Sequence, residues 1–234
     1  MKKILLLAIL SIVLFISCTD NSKNKMSVQG EVIGLKKGTL YLQKIENGVL
    51  STVDSTKMVG SSLFALESSI NTAELHFLSL DKNNEMTIPF FGEVGTITIN
   101  TNLDNFVLQA KISGSKNQDI LENYNKISSK FQDQNLDMIK EDFEAQVAKD
   151  KEKLDVLAKK SKQLLRRKYL YTTNFAIMNA DSEVAPYLAL KMLADANIKL
   201  LDTINKSLSE KIKNSSYGKE LNSFVEKIKQ TEKK

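Results

Sequence analysis

The chain has little of what side-chain chemistry usually needs. Its 234 residues hold one cysteine, one histidine, two prolines and no tryptophan. A single cysteine excludes a disulfide framework and a Cys-x-x-Cys redox pair, and with a single histidine it excludes a Cys/His zinc cluster. Any nucleophile–histidine triad is limited to one base, His76. The longest apolar run, Ile4 to Ile16 broken by Ser11, is too short for a comfortable membrane span. Hydrophobic residues at 42% and charged residues at 26% argue against wholesale disorder.

What is present begins with an address. Lys2 and Lys3 precede the apolar run, the order of a secretory signal over residues 1–17. Phe15-Ile16-Ser17-Cys18, followed at once by polar Thr19-Asp20-Asn21-Ser22, resembles a bacterial lipobox. That resemblance implies lipidation at Cys18, with a diacylglycerol thioether and a further acyl chain such as palmitate. Each buried methylene adds roughly 0.8 kcal/mol, so two or three chains hold a protein at a bilayer essentially permanently. Residues 18–26 then read as a flexible tether. The expected location is the bacterial envelope, at the outer membrane on its periplasmic or surface face.

Composition changes near residue 115. Eight of the nine glycines lie between Gly30 and Gly114. Residues 27–115 read as short strands: 28–33, 39–45, 49–56, 62–67, 74–80, 85–90, 96–100 and 106–112. Asn47-Gly48 predicts a type I′ hairpin, because both central residues need positive φ. Pro89 cannot donate to a ladder, so its strand is an edge or carries a bulge. Residues 116–234 read as helical. From Leu136 to Phe175 a seven-residue repeat fills eight of twelve seam positions with apolar side chains, predicting one long amphipathic helix. Further helices follow Ser182, around Ile198–Ile212, and from Tyr217 to about Lys229. The fold class is α+β: an antiparallel β-sandwich or partly closed barrel, then a helical region.

Short motifs carry a resemblance to a family. Gly30-Glu31-Val32-Ile33-Gly34, Gly38-Thr39-Leu40-Tyr41-Leu42, Asp54-Ser55-Thr56, Gly60 with Phe64, Ile88-Pro89-Phe90-Phe91, Gly95-Thr96-Ile97-Thr98-Ile99 and Gly114-Ser115-Lys116-Asn117 resemble domain of unknown function 4369. The resemblance implies the N-terminal domain of exported thioredoxin-like lipoproteins, with the helical half similar to the spacer that follows it there. Ser182–Leu190 and a Tyr217-Gly218-Lys219 turn match the lead into the thioredoxin-like module. Thiol–disulfide exchange in that family sits in the module carrying Cys-x-x-Cys, which these 234 residues do not contain. An acylated Cys18 supplies neither an accessible thiolate nor a resolving partner.

Other candidates have structural explanations. His76 lies in a strand with no identified neighbour to make it a base. Asp54-Ser55-Thr56 fits a strand end. Gly30, Gly34 and Gly38 lead into a strand, whereas a phosphate loop opens a helix. Lys159, Lys160, Lys162, Arg166, Arg167 and Lys168 read as a solvated or partner-facing helix face, not a nucleic-acid site. Glu141, Asp142 and Glu144 read as surface carboxylates. The expectation is a non-enzymatic, lipid-anchored binding or assembly module, with no cofactor or metal and with an envelope protein as partner. An accessory role beside a separate thioredoxin-like or hydrolytic enzyme is the alternative, with an exposed partner surface at Leu221, Phe224 and Val225. A carbohydrate- or peptide-binding sandwich is a third reading.

Overall fold

The computed structural model describes residues 24–232. The signal region 1–17, Cys18 and most of the tether lie outside them. Eight strands come first: β1 (Lys25–Ile33), β2 (Lys37–Glu46), β3 (Val49–Val59), β4 (Leu63–Ser69), β5 (Glu74–Leu80), β6 (Thr87–Gly92), β7 (Gly95–Asn102) and β8 (Lys111–Ser113). They make two four-stranded sheets, β4-β1-β7-β8 and β3-β2-β5-β6. The sheets do not close into a barrel, so the sandwich form of the expectation is the right one. Neighbours pair antiparallel except β1 and β7, which run parallel.

Alternation explains the layers. Leu40 and Leu42 of β2, Leu78 and Leu80 of β5, Val28 and Val32 of β1, and Ile97 and Ile99 of β7 all point between the sheets. Their burial supplies the sandwich's main stabilisation at roughly 25 cal/mol per Å² of apolar surface. Asn47 at φ 52° and Gly48 at φ 79° form the left-handed pair that turns β2 into β3. Pro89 sits in β6, an outer strand, as its missing donor requires. Phe106–Ile112 departs from the strand expected there. Asn102 accepts the N–H of Asn105 at 2.8 Å and starts a run of turns, leaving β8 three residues long.

The helices are α1 (Lys116–Ala148), α2 (Lys151–Met178), α3 (Val184–Met192), α4 (Ile198–Ser207), α5 (Glu210–Lys213) and α6 (Ser216–Glu232). Ser115 caps α1, and Gln118 accepts the N–H of Phe91 at 2.9 Å, satisfying a buried donor of the edge strand β6. The single long helix expected from residue 136 onward is instead the end of α1 and nearly all of α2, folded into a hairpin. Lys149 takes φ 54°, its N–H bonds Gln146, and the Asp150 N–H bonds the Ala145 carbonyl, a Schellman stop made without glycine. Asp150 then accepts the Lys153 N–H at 3.0 Å and caps α2.

Sandwich and helices share a core. Phe91 of β6 meets Tyr187 of α3 edge-on at 5.4 Å, and Tyr217 of α6 at 6.1 Å. At the hairpin base Tyr124 stacks on Tyr171 at 5.5 Å and its hydroxyl bonds Thr172 at 2.9 Å. Asn117 of α1 accepts a hydrogen bond from Ser182 at 2.6 Å, holding the start of α3. The expected Tyr217-Gly218-Lys219 turn is the first turn of α6. Gly218 is required there because a β-carbon would lie 1.9 Å from the Ile212 carbonyl oxygen.

Candidate functional site

The conspicuous surface is the far half of the hairpin. At a rise of about 1.5 Å per residue, the 33 residues of α1 extend about 50 Å. Beyond Phe131, Ala145 is its one fully buried residue. Leu136, Ile139, Phe143 and Val147 are 64, 57, 67 and 70% exposed. With roughly 3.6 residues per turn these four fall within about 80° of arc, so they form one stripe along α1. Leu136 also borders a groove with Leu164 and Leu165 of α2, and the rest of the stripe faces away from that helix. Gln134, on the opposite side, accepts a hydrogen bond from Arg167 at 3.1 Å. Asp133, Asp137 and Glu144, all exposed, border one edge of the stripe, and Lys140 is the cation beside it.

The seven-residue repeat therefore contained two different faces. Leu157 and Leu164 are buried between the helices, while Leu136, Phe143 and Val147 are exposed. The break at Lys149 ends the seam, and the two sets cannot share one line. From 131 to 148, five carboxylates face one lysine; from 151 to 168, eight cations face two carboxylates. The hairpin is thus an acidic helix beside a basic one.

A second surface lies on the other side of α2. A groove of about 520 Å³ runs between α2 and the start of α4. Leu165, Tyr169, Leu170 and Leu200 give it an apolar floor; Lys162, Arg166 and Lys199 supply cations, and no carboxylate among the described residues lines it. Part of the expected basic run therefore rims this groove, while Arg167 turns toward α1.

The remaining candidates resolve as structure. Leu221 and Val225 are fully buried with Leu201, Ile204 and Ile212, and Phe224 packs at the edge of that cluster. This corrects the partner surface expected at Leu221, Phe224 and Val225: the apolar face of α6 exists, but α4 and α5 already cover it. His76 is fully buried against Phe90, with ring centroids 5.9 Å apart. Its Nδ1 is 3.0 Å from the Glu74 carbonyl, and Nε2 has no partner. Burial pushes its pKa below the ordinary value, assisted by Lys44 and opposed by that carbonyl and the Glu74 charge. Asp54 accepts backbone N–H groups from Ser55 at 2.7 Å and Glu67 at 2.8 Å, joining the edges β3 and β4. Glu141 and Asp142 are half-buried, whereas Glu144 is exposed.

A polar cleft of about 550 Å³ between α4 and α6 holds Asp202, whose carboxylate pairs with Lys206 at 2.6 Å and Lys229 at 2.7 Å. Those bonds depress its pKa. The cleft's main acid is thus already neutralised within the chain. Among the described residues no group of three His, Cys, Asp or Glu side chains is arranged to hold a metal, and no helix is long and apolar enough to cross a membrane.

Residues 26–121 match a family model described as a domain of unknown function, DUF4369. The match covers the sandwich and the first turns of α1, and stops short of the stripe and the groove. No curated protein and no solved structure matches the chain.

Proposed function

We propose that this DUF4369-bearing chain is a non-enzymatic binding or assembly module, tethered through Cys18 in the bacterial envelope. The observation that carries the reading is the stripe of Leu136, Ile139, Phe143 and Val147. Four large apolar side chains in one line, on a helix whose base packs into the Tyr124 cluster, offer an anchor for a partner's apolar groove. Their exposure brings the fold no stability, and burial by a partner would remove apolar surface from water. The basic-then-apolar order before Cys18 supports the tether, as does the polar stretch after it.

The test uses the full chain in its own envelope. A photo-crosslinking residue at Phe143 is expected to yield a discrete adduct that Ile139→Lys abolishes, while the same probe at exposed Leu108 yields none. An absence of any adduct at Phe143 would overturn the reading. Mass spectrometry of Cys18 tests the tether: a lipid adduct is expected, and an unmodified thiol on a chain free in solution would contradict it.

A further inference from the structure

We infer that the occupant of the α1 stripe is the α2–α4 groove of a second copy of this chain. The inference rests on the docking role just proposed and names its partner.

The two surfaces are complementary in shape class and in sign. One is convex, a helix face carrying Leu136, Ile139, Phe143 and Val147. The other is concave, with Leu165, Tyr169, Leu170 and Leu200 on its floor. Helix-in-groove recognition joins such surfaces by laying apolar anchors at i, i+3 and i+7 along the trough. The stripe's spacing 136, 139, 143 is that pattern. Its acidic edge of Asp133, Asp137 and Glu144 matches a groove whose charged lining, Lys162, Arg166 and Lys199, is wholly cationic. A membrane surface or a nucleic acid would meet the cations but has nothing for the acidic stripe. A second copy satisfies both surfaces.

Position decides the symmetry. The stripe lies on α1, turned largely away from α2, and the groove lies on α2 and α4, on the other side of the hairpin. Stripe and groove are different patches of one copy, coming nearest each other at Leu165, which borders Leu136 on one side and floors the groove on the other. A contact that joins two different patches is heterologous, and it continues from copy to copy unless the rotation closes a ring. Opposite charges at the contact steer encounter and exclude the wrong register, and their effect falls as salt rises.

The test is mixing. In the full chain, Ile139→Lys with Phe143→Lys destroys the stripe, and Lys162→Glu with Arg166→Glu reverses the groove. All four positions are exposed, so both variants should keep the parent's circular dichroism and melting curve. By sedimentation in mild detergent, the parent is expected to form a concentration-dependent series, and each variant alone to associate at least tenfold more weakly. Mixed one to one, the variants should form a capped dimer, since one retains a good stripe and the other a good groove. A parent that stays monomeric at every concentration overturns the inference, as does a mixture that never forms the dimer. If Phe143 still crosslinks in the envelope in either case, the docking role stands and the second copy alone is rejected.

Discussion

The phenol oxygen of Tyr217 accepts a hydrogen bond from the backbone N–H of Leu75 at 3.1 Å, joining α6 to β5 across 142 residues of sequence. Beside it Thr72 and Ser216 share a hydrogen bond at 3.0 Å, and Tyr217 packs against Tyr187 with ring centroids 5.4 Å apart. The last helix is thereby held on the sandwich, and the hairpin base rests on the same aromatic cluster.

Tyr217→Phe keeps the ring and leaves the Leu75 donor unpaired. It should lower stability by about 1–2 kcal/mol, measured by urea unfolding. Burial raises the Tyr217 pKa to about 12. A phenol that ionises more readily when unfolded opposes folding as pH climbs above about 10 toward that value. Stability should therefore fall in this alkaline range, and less so in the Phe variant.

His76 contributes on the acid side. Folded, burial lowers its pKa below the ordinary value; unfolded, it takes up a proton near about pH 6.5. The unfolded state thus binds more protons below that pH, and stability falls as pH drops from about 6.5 toward the depressed native value. His76→Leu removes this dependence and also the unpaired Nε2. The difference in urea midpoint between pH 7.5 and pH 5.5, conditions on the order of one unit either side of the histidine range, should be smaller in the variant than in the parent.

Much of the sandwich was legible because each strand's alternation is local. Leu40 and Leu42, Ile97 and Ile99, and Asn47-Gly48 all behave as their pattern dictates. The β1–β7 parallel pairing was not legible, since it joins strands far apart in the sequence with no shared turn. The hairpin is hidden in the sequence for a different reason. Lys149 makes a left-handed stop that glycine usually makes, so Ala148-Lys149-Asp150 carried no conventional punctuation; Asp150 as a helix cap was the available signal. Without a visible stop, the exposed Phe143 and the buried Leu157 fall on one line of the seven-residue repeat. The partner surface was displaced for a related reason. Periodicity shows that α6 has an apolar face, and only packing shows that Leu201, Ile204 and Ile212 already fill it.

Lys149→Gly follows from that stop. A glycine adopts φ 54° without the side-chain penalty, an advantage partly offset by its freer unfolded chain. Thermal unfolding should show a gain of about 0.5–1 kcal/mol.

Buried and exposed apolar residues should separate cleanly. Leu221→Ala empties a fully buried site and should lower stability by about 2–4 kcal/mol. Phe143→Lys replaces an exposed ring and should stay within about 0.5 kcal/mol of the parent. Equal losses at the two positions would mean that Phe143 is part of the monomer's core.

The most direct measurement is solvent access to the stripe inside the envelope. In the full chain carrying Phe143→Cys, a membrane-permeant maleimide should label slowly in intact cells and rapidly after the chain is purified and diluted. A cysteine at exposed Leu108 should label rapidly in both. Slow labelling at 143 alone is what a docked α1 stripe predicts; fast labelling at both positions in intact cells would contradict it.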